Sequence, residues 1–305
     1  MLNALTIDFE DWFQVSNLEH IIPYDDWDGC KPRLVENTHR LLEILAGAGV
    51  KATFFVLGWN AVRFPELVRE VRDAGHEIGS HGFAHQCVFD LTPEGLGADL
   101  ERANEAILGA CGERPRCYRA PSFSVTPRSL WAFDVIKSRG FRVDSSVFPI
   151  FHERYGFTSA PRLPRRVRLN GQATLVEAPP STIRLLGRNY PFAGGAYFRI
   201  LPQRVVEAFC RRLNHRGEPV IFYLHPWELD PDIPRFRLSP FRRYRSYVHL
   251  DQTAGRIARL LRRFEFGPLS RALEEYRPTA EWDPCRGTYL AATEQSKAPT
   301  SSARS

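Results

Sequence analysis

The sequence lacks three features that would each indicate a particular site or location. No two of its six cysteines form a Cys-x-x-Cys pair, which argues against a zinc–thiolate or thioredoxin-like site. No run of 18 or more apolar residues occurs, so no transmembrane helix is expected. Residues 1–15 show no basic segment followed by an apolar one, so no signal peptide is expected. These absences predict reduced thiols and a cytoplasmic protein, which a membrane-bound partner could hold at the inner face of the membrane.

Composition and charge are those of a soluble globular enzyme. Of the 305 residues, 43% are hydrophobic and 25% are charged, a mixture that excludes a disordered chain. The formal net charge is +6, and much of the excess comes from arginines within residues 162–168 and 235–245. Such clusters can bind an anionic partner, but neither belongs to a nucleic-acid-binding motif. We therefore interpret them as solvated basic surface and expect no nucleic-acid partner.

Buried apolar strands alternate with amphipathic helices along the chain. Residues 2–9, 52–57 and 220–224 are apolar runs typical of buried strands, whereas residues 37–46 and 65–74 have helical spacing. This alternation predicts an α/β fold with a parallel sheet covered by helices, most simply an irregular (β/α) barrel of seven strands.

The predicted barrel domain spans residues 1–278. Within it, residues 150–200 are rich in Pro, Gly and Arg and are expected to form an insertion with little regular structure. An extension covers about residues 228–278. Residues 279–305 have the composition of a disordered tail.

Five polar clusters follow apolar segments, at the carboxyl ends of predicted strands. In a (β/α) barrel those ends form the active-site face. The sequence therefore predicts that the clusters meet at one edge of the barrel; they are residues 8–11 (DFED), 80–85 (SHGFAH), 119–123 (RAPSF), 144–146 (DSS) and 224–226 (LHP).

Two of these clusters indicate a metal site. His81 and His85 are four residues apart, which would put both imidazoles on one face of a helical turn, and a carboxylate would complete a divalent-metal site. Asp8, Glu10 and Asp11 crowd three acids into four residues, which a cation would stabilise. The alternatives are two unrelated histidines and an acidic turn or helix cap.

The other clusters suggest residues that assist chemistry. Arg119, fixed near Pro121, is expected to hold a carboxylate through two hydrogen bonds. Asp144 and His225 are expected to pair, which would raise the pKa of the imidazole and keep it protonated. The alternatives are a structural salt bridge for Arg119, and polar groups satisfied independently for Asp144 and His225.

In this order the clusters resemble the five motifs of the polysaccharide deacetylase family, carbohydrate esterase family four. Those motifs are an aspartate-rich motif, H-[ST]-x-x-H, R-x-P-x-[FY], D-x-S-x-x-W and L-x-H, and the resemblance covers roughly residues 5–226. Three further stretches are similar to a subgroup linked to exopolysaccharide and exosortase gene clusters; they are residues 194–198 (GGAYF), 225–228 (HPWE) and 266–269 (FGPL).

The resemblance implies a divalent metal, Zn²⁺ with Co²⁺ or Ni²⁺ as alternatives. Its ligands would be His81 and His85 with Glu10 or Asp11, because the first motif departs from two adjacent aspartates. Members of the family with an Asp-x-Asp first motif use the second acid, which favours Glu10.

The resemblance also implies roles for the remaining residues and a substrate class. Asp8, oriented by Arg119, would be the general base, and His225, held by Asp144, the general acid. The substrate would be an acetylated glycan or a lipid-linked oligosaccharide. Two other functions stay open: hydrolysis of a different carbon–nitrogen bond in a small amide or ureide, and glycan binding without catalysis.

Overall fold

Strands and helices alternate along most of the chain, as the apolar periodicity predicts. A computed structural model describes residues 1–152, 154–169 and 172–290 of the protein. The strands are β1 (Asn3–Phe9), β2 (Thr53–Val56), β3 (Glu77–Ser80), β4 (Cys117–Tyr118), β5 (Val143–Asp144), β6 (Arg165–Leu169), β7 (Gln172–Glu177), β8 (Thr182–Leu185), β9 (Arg188–Pro191), β10 (Ile221–Leu224), β11 (Phe266–Gly267), β12 (Glu281–Asp283) and β13 (Thr288–Leu290).

The longest helix begins and ends at residues that supply capping signals. The longest, α4, begins after Thr92, whose side chain accepts a hydrogen bond from the backbone N–H of Gly95, and it ends at Gly112 in the left-handed conformation. No helix within the described ranges combines the length and apolar character needed to cross a bilayer. The helices are α1 (Leu34–Ala48), α2 (Gly58–Arg63), α3 (Pro65–Asp73), α4 (Pro93–Cys111), α5 (Ala132–Ser138), α6 (Gly195–Ile200), α7 (Gln203–Asn214), α8 (Pro240–Tyr247), α9 (Leu250–Leu261) and α10 (Leu269–Tyr276).

The sheet is parallel through its centre. Its order is β10-β1-β2-β3-β4-β5-β7-β6-β12-β13, with β11 beside the start of β1, and every pair from β10 to β7 is parallel. The described residues thus contribute eleven strands to this sheet, against the seven expected. Beyond the end of β7, the backbone N–H of Ser181 donates to the carbonyl of Ile221 in β10 at 3.0 Å. This contact brings the two ends of the parallel run together, as in the predicted irregular (β/α) barrel.

Strand β1 shows how the sheet separates core from site. Its residues alternate between faces, so Leu5, Ile7 and Phe9 pack in the largest apolar cluster with the surrounding helices. On the opposite face, Ala4 packs against Leu269 of α10 at one end of the strand. Asp8 lies on that same face at the other end of β1. The alternation therefore fills one end of the interior with apolar side chains and leaves a carboxylate at the other.

Two expectations about the second half of the chain were wrong. Residues 150–200 contain β6 to β9 and α6, because β7 joins the central sheet and pairs with β6. The expected tail is ordered over β12 and β13, because the side chain of Trp282 is buried against Phe133 and Phe157. The rest of that tail, residues 291–305, lies outside the described residues.

Candidate active site

The carboxyl ends of β1, β3, β4, β5 and β10 bring the five polar clusters to one edge. The parallel registers fix this placement, because Ile7 pairs with Leu224 and Tyr118 pairs with both Ser80 and Asp144. The residues after these positions open into a cleft of about 530 Å³, which Asp8, Glu10, His81, His85 and His225 line. Of the site residues predicted from the sequence, these five share the cleft wall.

Glu10, His81 and His85 form a compact group of possible metal ligands. One side-chain atom from each lies within 4.8 Å of the others, and Oε2 of Glu10 is 2.8 Å from Nε2 of His85. That Oε2 is buried and accepts no hydrogen bond of good geometry from the described part of the chain. Two imidazoles and one carboxylate are a ligand set that suits Zn²⁺ with a further position open. The residues present therefore fit a divalent metal.

The two histidines reach this site from an irregular turn, so the expected helical turn was wrong. Residues 81–87 contain no helix, and both Gly82 and His85 adopt positive φ angles of 74° and 54°. The carboxylate of Asp99 accepts a hydrogen bond from the backbone N–H of Phe83 at 2.9 Å and fixes the turn. A side chain at Gly82 would clash with that carboxylate, since its Cβ would lie 2.7 Å from Oδ2 of Asp99.

Charge and hydrogen bonding in the group suit metal ligation. Nδ1 of His81 lies 2.7 Å from the carbonyl oxygen of Arg119, which leaves Nε2 toward Glu10. Burial lowers the pKa of His81 to about 4, so its imidazole is neutral at physiological pH. Burial would raise the pKa of Glu10, but the imidazoles of His85 and His225 outweigh it and lower that pKa to about 2.

Asp11 faces away from the histidines and serves the fold. Its carboxylate accepts hydrogen bonds from the backbone N–H groups of Trp12, Arg33 and Leu34, at 2.8, 2.7 and 3.0 Å. Arg33 is the residue directly before α1 and Leu34 is its first residue, where backbone donors have no partner within the helix. Asp11 therefore caps α1 from a distance, and of the two candidate acids it is Glu10 that approaches His81 and His85.

Arg119 holds Asp8 as expected, but through one hydrogen bond and not two. Its Nη1 donates to Oδ1 of Asp8 at 2.7 Å, and its Nη2 donates to Oγ of Ser145 at 2.9 Å. The guanidinium is fully buried and lies 4.3 Å from the ring centroid of Phe55. Because the second donor binds Ser145 in the loop after β5, Arg119 links Asp8 to that loop. Oδ2 of Asp8 remains free of Arg119 and faces the cleft.

His225 is paired with Glu228, so the expected pairing with Asp144 was wrong. Nδ1 of His225 lies 2.7 Å from Oε1 of Glu228, while Nε2 lies 3.7 Å from Asp8 and 3.4 Å from Glu10. Burial lowers the pKa of His225, but the carboxylates of Glu10, Glu228 and Asp8 outweigh it and raise that pKa to about 9. The imidazole is therefore protonated at neutral pH and can donate a proton from Nε2.

Glu228 is a site residue that the sequence reasoning missed. The 3-10 helix Pro226–Leu229 folds Glu228 back onto His225, in the manner of a capping box. The sequence does contain a signal for this contact. His-Pro-x-Glu places a proline at the first helical position and an acid three residues after the cap, which is typical of a helix start. Arg199 in α6, which donates to Oε2 of Glu228 at 2.6 Å, carries no such signal.

Asp144 lies in the barrel wall, facing another acid. The register of β5 and β7 places it opposite Glu177, and its carboxylate accepts a hydrogen bond from the hydroxyl of Ser146. Burial raises the pKa of Asp144 to about 6. Burial and the Asp144 carboxylate together raise the pKa of Glu177 well above its usual range, which favours its protonated form and a hydrogen bond between the two carboxyl groups. The pair supports the loop that holds Arg119.

Comparisons with known proteins agree with this geometry. The profile of the polysaccharide deacetylase family matches residues 21–142, and that of a domain of unknown function, DUF3473, matches residues 145–274. A putative polysaccharide deacetylase from Mycobacterium smegmatis has the same fold, with a TM-score of 0.59 at 20% identity; the match covers 90% of this chain and 91% of that one.

The chain is also similar to named deacetylases over about a third of its length. It is 35% identical over 107 residues to a chitooligosaccharide deacetylase of Rhizobium leguminosarum, covering 34% of this chain and 48% of that protein. It is 27% identical over 123 residues to a peptidoglycan-N-acetylglucosamine deacetylase of Bacillus cereus, covering 36% and 45%. The chain thus spans less than half the length of these two relatives. Residues 21–142 thus match the polysaccharide deacetylase family, and the fold of the chain is that of the polysaccharide deacetylase compared above.

Proposed function

We propose that this protein is a metal-dependent deacetylase that removes N-acetyl groups from the amino sugars of a bacterial exopolysaccharide or its lipid-linked precursor. The observation that carries the proposal is the grouping of Glu10, His81 and His85 beside a carboxylate and a protonated imidazole. Named relatives act on chitooligosaccharides and on peptidoglycan, which supports an acetylated glycan as substrate.

Glu10, His81 and His85 would hold the metal, with Zn²⁺ as the preferred ion and Co²⁺ or Ni²⁺ as alternatives. A divalent metal there would polarise the acetyl carbonyl and make a water molecule more acidic. This assignment is supported by the buried Oε2 of Glu10, which lies 2.8 Å from Nε2 of His85. The neutral state of His81 supports it as well.

Asp8 and His225 would divide the proton transfers. Asp8, whose Oδ1 is engaged by Arg119, has Oδ2 available to accept a proton from the attacking water. As the carbon–nitrogen bond breaks, His225 would donate its Nε2 proton to the departing amine. One water is consumed, and the products are acetate and a free amino sugar. The 3.7 Å between Oδ2 of Asp8 and Nε2 of His225 lets both groups reach the same acetamide.

The test is acetate release from a panel of acetylated oligosaccharides, with and without a chelator. We expect one free amine per acetate, loss of activity on chelation and recovery when Zn²⁺ is restored. Glu10→Ala should abolish both bound metal and acetate release, whereas Glu43→Ala, an exposed acid on α1, should change neither. Activity that persists in the metal-free protein, or no release from any acetylated glycan, would overturn the proposal.

A further inference from the structure

The outer part of the cleft carries positive charge that no described acid neutralises. Four acids line the cleft, and each has a cationic or metal-site partner: Asp8 pairs with Arg119, Glu10 with the histidines, Glu19 with Arg154, and Glu228 with Arg199 and His225. The same wall holds two further arginines from helix α8. The net charge of the side chains at the mouth of the cleft is therefore positive.

Those two arginines are Arg242 and Arg245. Both line the cleft, and neither has a carboxylate within 4.0 Å among the residues that the structure describes. Arg242 is exposed at the rim, whereas Arg245 is partly buried deeper in the wall. A surface arginine without a partner is common, but two on one short helix facing a cleft with a metal-ligand group are better placed to meet a substrate.

Arg245 is held in a fixed position before any ligand arrives. Its guanidinium lies 5.4 Å from the ring centroid of Tyr197 and 5.7 Å from that of Phe241, and it hydrogen-bonds the side chain of Tyr155. Its Nε is buried and has no hydrogen-bond partner in the described part of the chain. A guanidinium restrained in this way loses little conformational entropy when it binds an oxyanion.

Helix α8 is itself anchored to the reacting end of the cleft. Arg199 donates to the backbone carbonyls of Arg245 and Val248 at 3.0 and 2.7 Å, and its Nε donates to Glu228, the partner of His225. The distance from the arginines to the metal-ligand group is thus set by a buried contact and not by a free loop. A substrate that contacts α8 would have its acetyl group placed at a defined depth.

We infer that Arg242 and Arg245 bind an oxyanion of the substrate next to the sugar that loses its acetyl group. The preferred substrate is then an acidic glycan, in which a carboxylate of an acidic sugar or a phosphate at the glycan end meets the two guanidinium groups. This inference rests on the proposed deacetylase activity and specifies its substrate class. The overall charge of +6 favours the approach of such a substrate.

The test compares three acetylated substrates of similar size on the Zn²⁺-loaded protein. They are N-acetylated chitotetraose, which is neutral, a hyaluronan tetrasaccharide, which carries carboxylates, and N-acetylated chitotetraose with a phosphate at its reducing end. We expect kcat/KM to be highest for one of the two anionic substrates and to fall for that substrate as salt is added. Which of the two is preferred identifies the source of the oxyanion.

The variants are Arg242→Gln and Arg245→Lys, with Arg243→Gln as the matched control. Arg243 is exposed on the same helix and does not line the cleft. The ratio of kcat/KM for the preferred anionic substrate to that for chitotetraose should fall about tenfold in each variant, the equivalent of one lost charged hydrogen bond. Arg243→Gln should keep the ratio of the unaltered protein. Arg245→Lys retains the charge at a partly buried position, and kcat/KM on chitotetraose checks that each variant is folded.

Two outcomes would overturn the inference while the proposed function stands. The first is a neutral substrate cleaved as well as the anionic ones. The second is an unchanged substrate ratio in both variants. A protein that releases acetate from none of the three substrates would instead count against the deacetylase proposal.

Discussion

Two adjacent acids in the first motif have opposite surroundings. The buried Oε2 of Glu10 lies 2.8 Å from Nε2 of His85, and Glu10 faces both His81 and His85. Asp11 has three backbone N–H donors and belongs to the start of α1. Three backbone donors satisfy Asp11, whereas the neighbours of Glu10 are two imidazoles, which are themselves common metal ligands. The difference favours Glu10 as the metal ligand and Asp11 as the cap of α1.

Alanine substitutions should separate the role of Glu10 in metal binding from the role of Asp11 in capping α1. Glu10→Ala should lose bound metal while the fold persists. Asp11→Ala should keep its metal and lose about 1 kcal/mol of unfolding free energy, the usual cost of a lost helix cap. Metal content per chain and the thermal midpoint measure the two effects. Loss of metal in Asp11→Ala together with its retention in Glu10→Ala would reverse the assignment.

The base and the acid should respond differently to the leaving group. Asp8→Asn and His225→Ala should each lower the rate on an acetamide by about 10²–10⁴, the range for one positioned acid or base. An activated acetate ester has a leaving group that needs little protonation. It should therefore restore the rate of His225→Ala far more than that of Asp8→Asn. Equal restoration in the two variants would mean that His225 does not protonate the leaving group.

Glu228 should set the alkaline limit of activity. Its carboxylate stabilises the protonated imidazole of His225, whose pKa is raised to about 9, so activity that depends on this proton is lost as the pH rises through that value. Glu228→Gln removes the stabilising charge, and the alkaline limb of kcat/KM should move to lower pH. Asp144→Asn should leave that limb in place, because Asp144 bonds Ser146 and faces Glu177. A shift of the alkaline limb in Asp144→Asn but not in Glu228→Gln would instead support the pairing of His225 with Asp144 that the sequence suggested.

At the scale of elements, strands β5 and β7 are joined by a pair of buried carboxyl groups. Asp144 and Glu177 face each other in the register, and burial raises the pKa of both. Unfolded, both groups titrate at about 4. Their contribution to stability is therefore fully present below pH 4 and is lost as the pH rises through the raised folded pKa values, of which that of Asp144 is about 6.

Glu177→Gln should remove part of this pH dependence. The amide of glutamine can still donate a hydrogen bond to Asp144 but cannot ionise, so no second buried charge forms as the pH rises. The thermal midpoint of the variant relative to the unaltered protein should therefore rise as the pH increases above about 4, the usual range of a carboxyl group. Glu43→Gln, at an exposed position on α1, should show a constant difference over the same range. A constant difference for Glu177→Gln as well would show that the two carboxyl groups do not share a proton.

At the scale of the whole molecule, the C-terminal strands complete a second apolar core. Trp282 of β12 is 1% exposed and packs edge-on against Phe133 and Phe157. Its strand pairs with β6, which in turn pairs with β7 of the parallel run. Residues near the end of the chain thus extend the sheet that holds Asp144 and, through the Ser145 contact, Arg119.

Truncation of Trp282 should therefore weaken the whole domain. Trp282→Ala should lower the unfolding free energy by about 3–5 kcal/mol, the range for removing a large buried aromatic side chain. Trp282→Phe keeps an aromatic ring and should cost clearly less. Denaturant unfolding of the three proteins measures the difference. Equal stability in the alanine variant and the unaltered protein would mean that β12 and β13 contribute little to the fold.

The sequence alone determined the features that arise from local patterns. Apolar periodicity predicts the alternating strands and helices, and parallel strands point their carboxyl ends the same way, so the polar clusters had to meet. The contact between Arg119 and Asp8, and the approach of Glu10 to the two histidines, follow from that rule and from the order of the motifs.

Only the tertiary structure determines which of the polar side chains at the strand ends contact one another. The strand ends gather Asp144 and His225 at one edge, but the register turns Asp144 toward Glu177 in β7. His225 instead pairs with an acid three residues further along the sequence, Glu228. Whether a segment such as Glu281–Asp283 is a strand depends on a partner more than 100 residues away, β6. Strand pairing and side-chain burial are set by packing between distant segments, and the local sequence does not encode that packing.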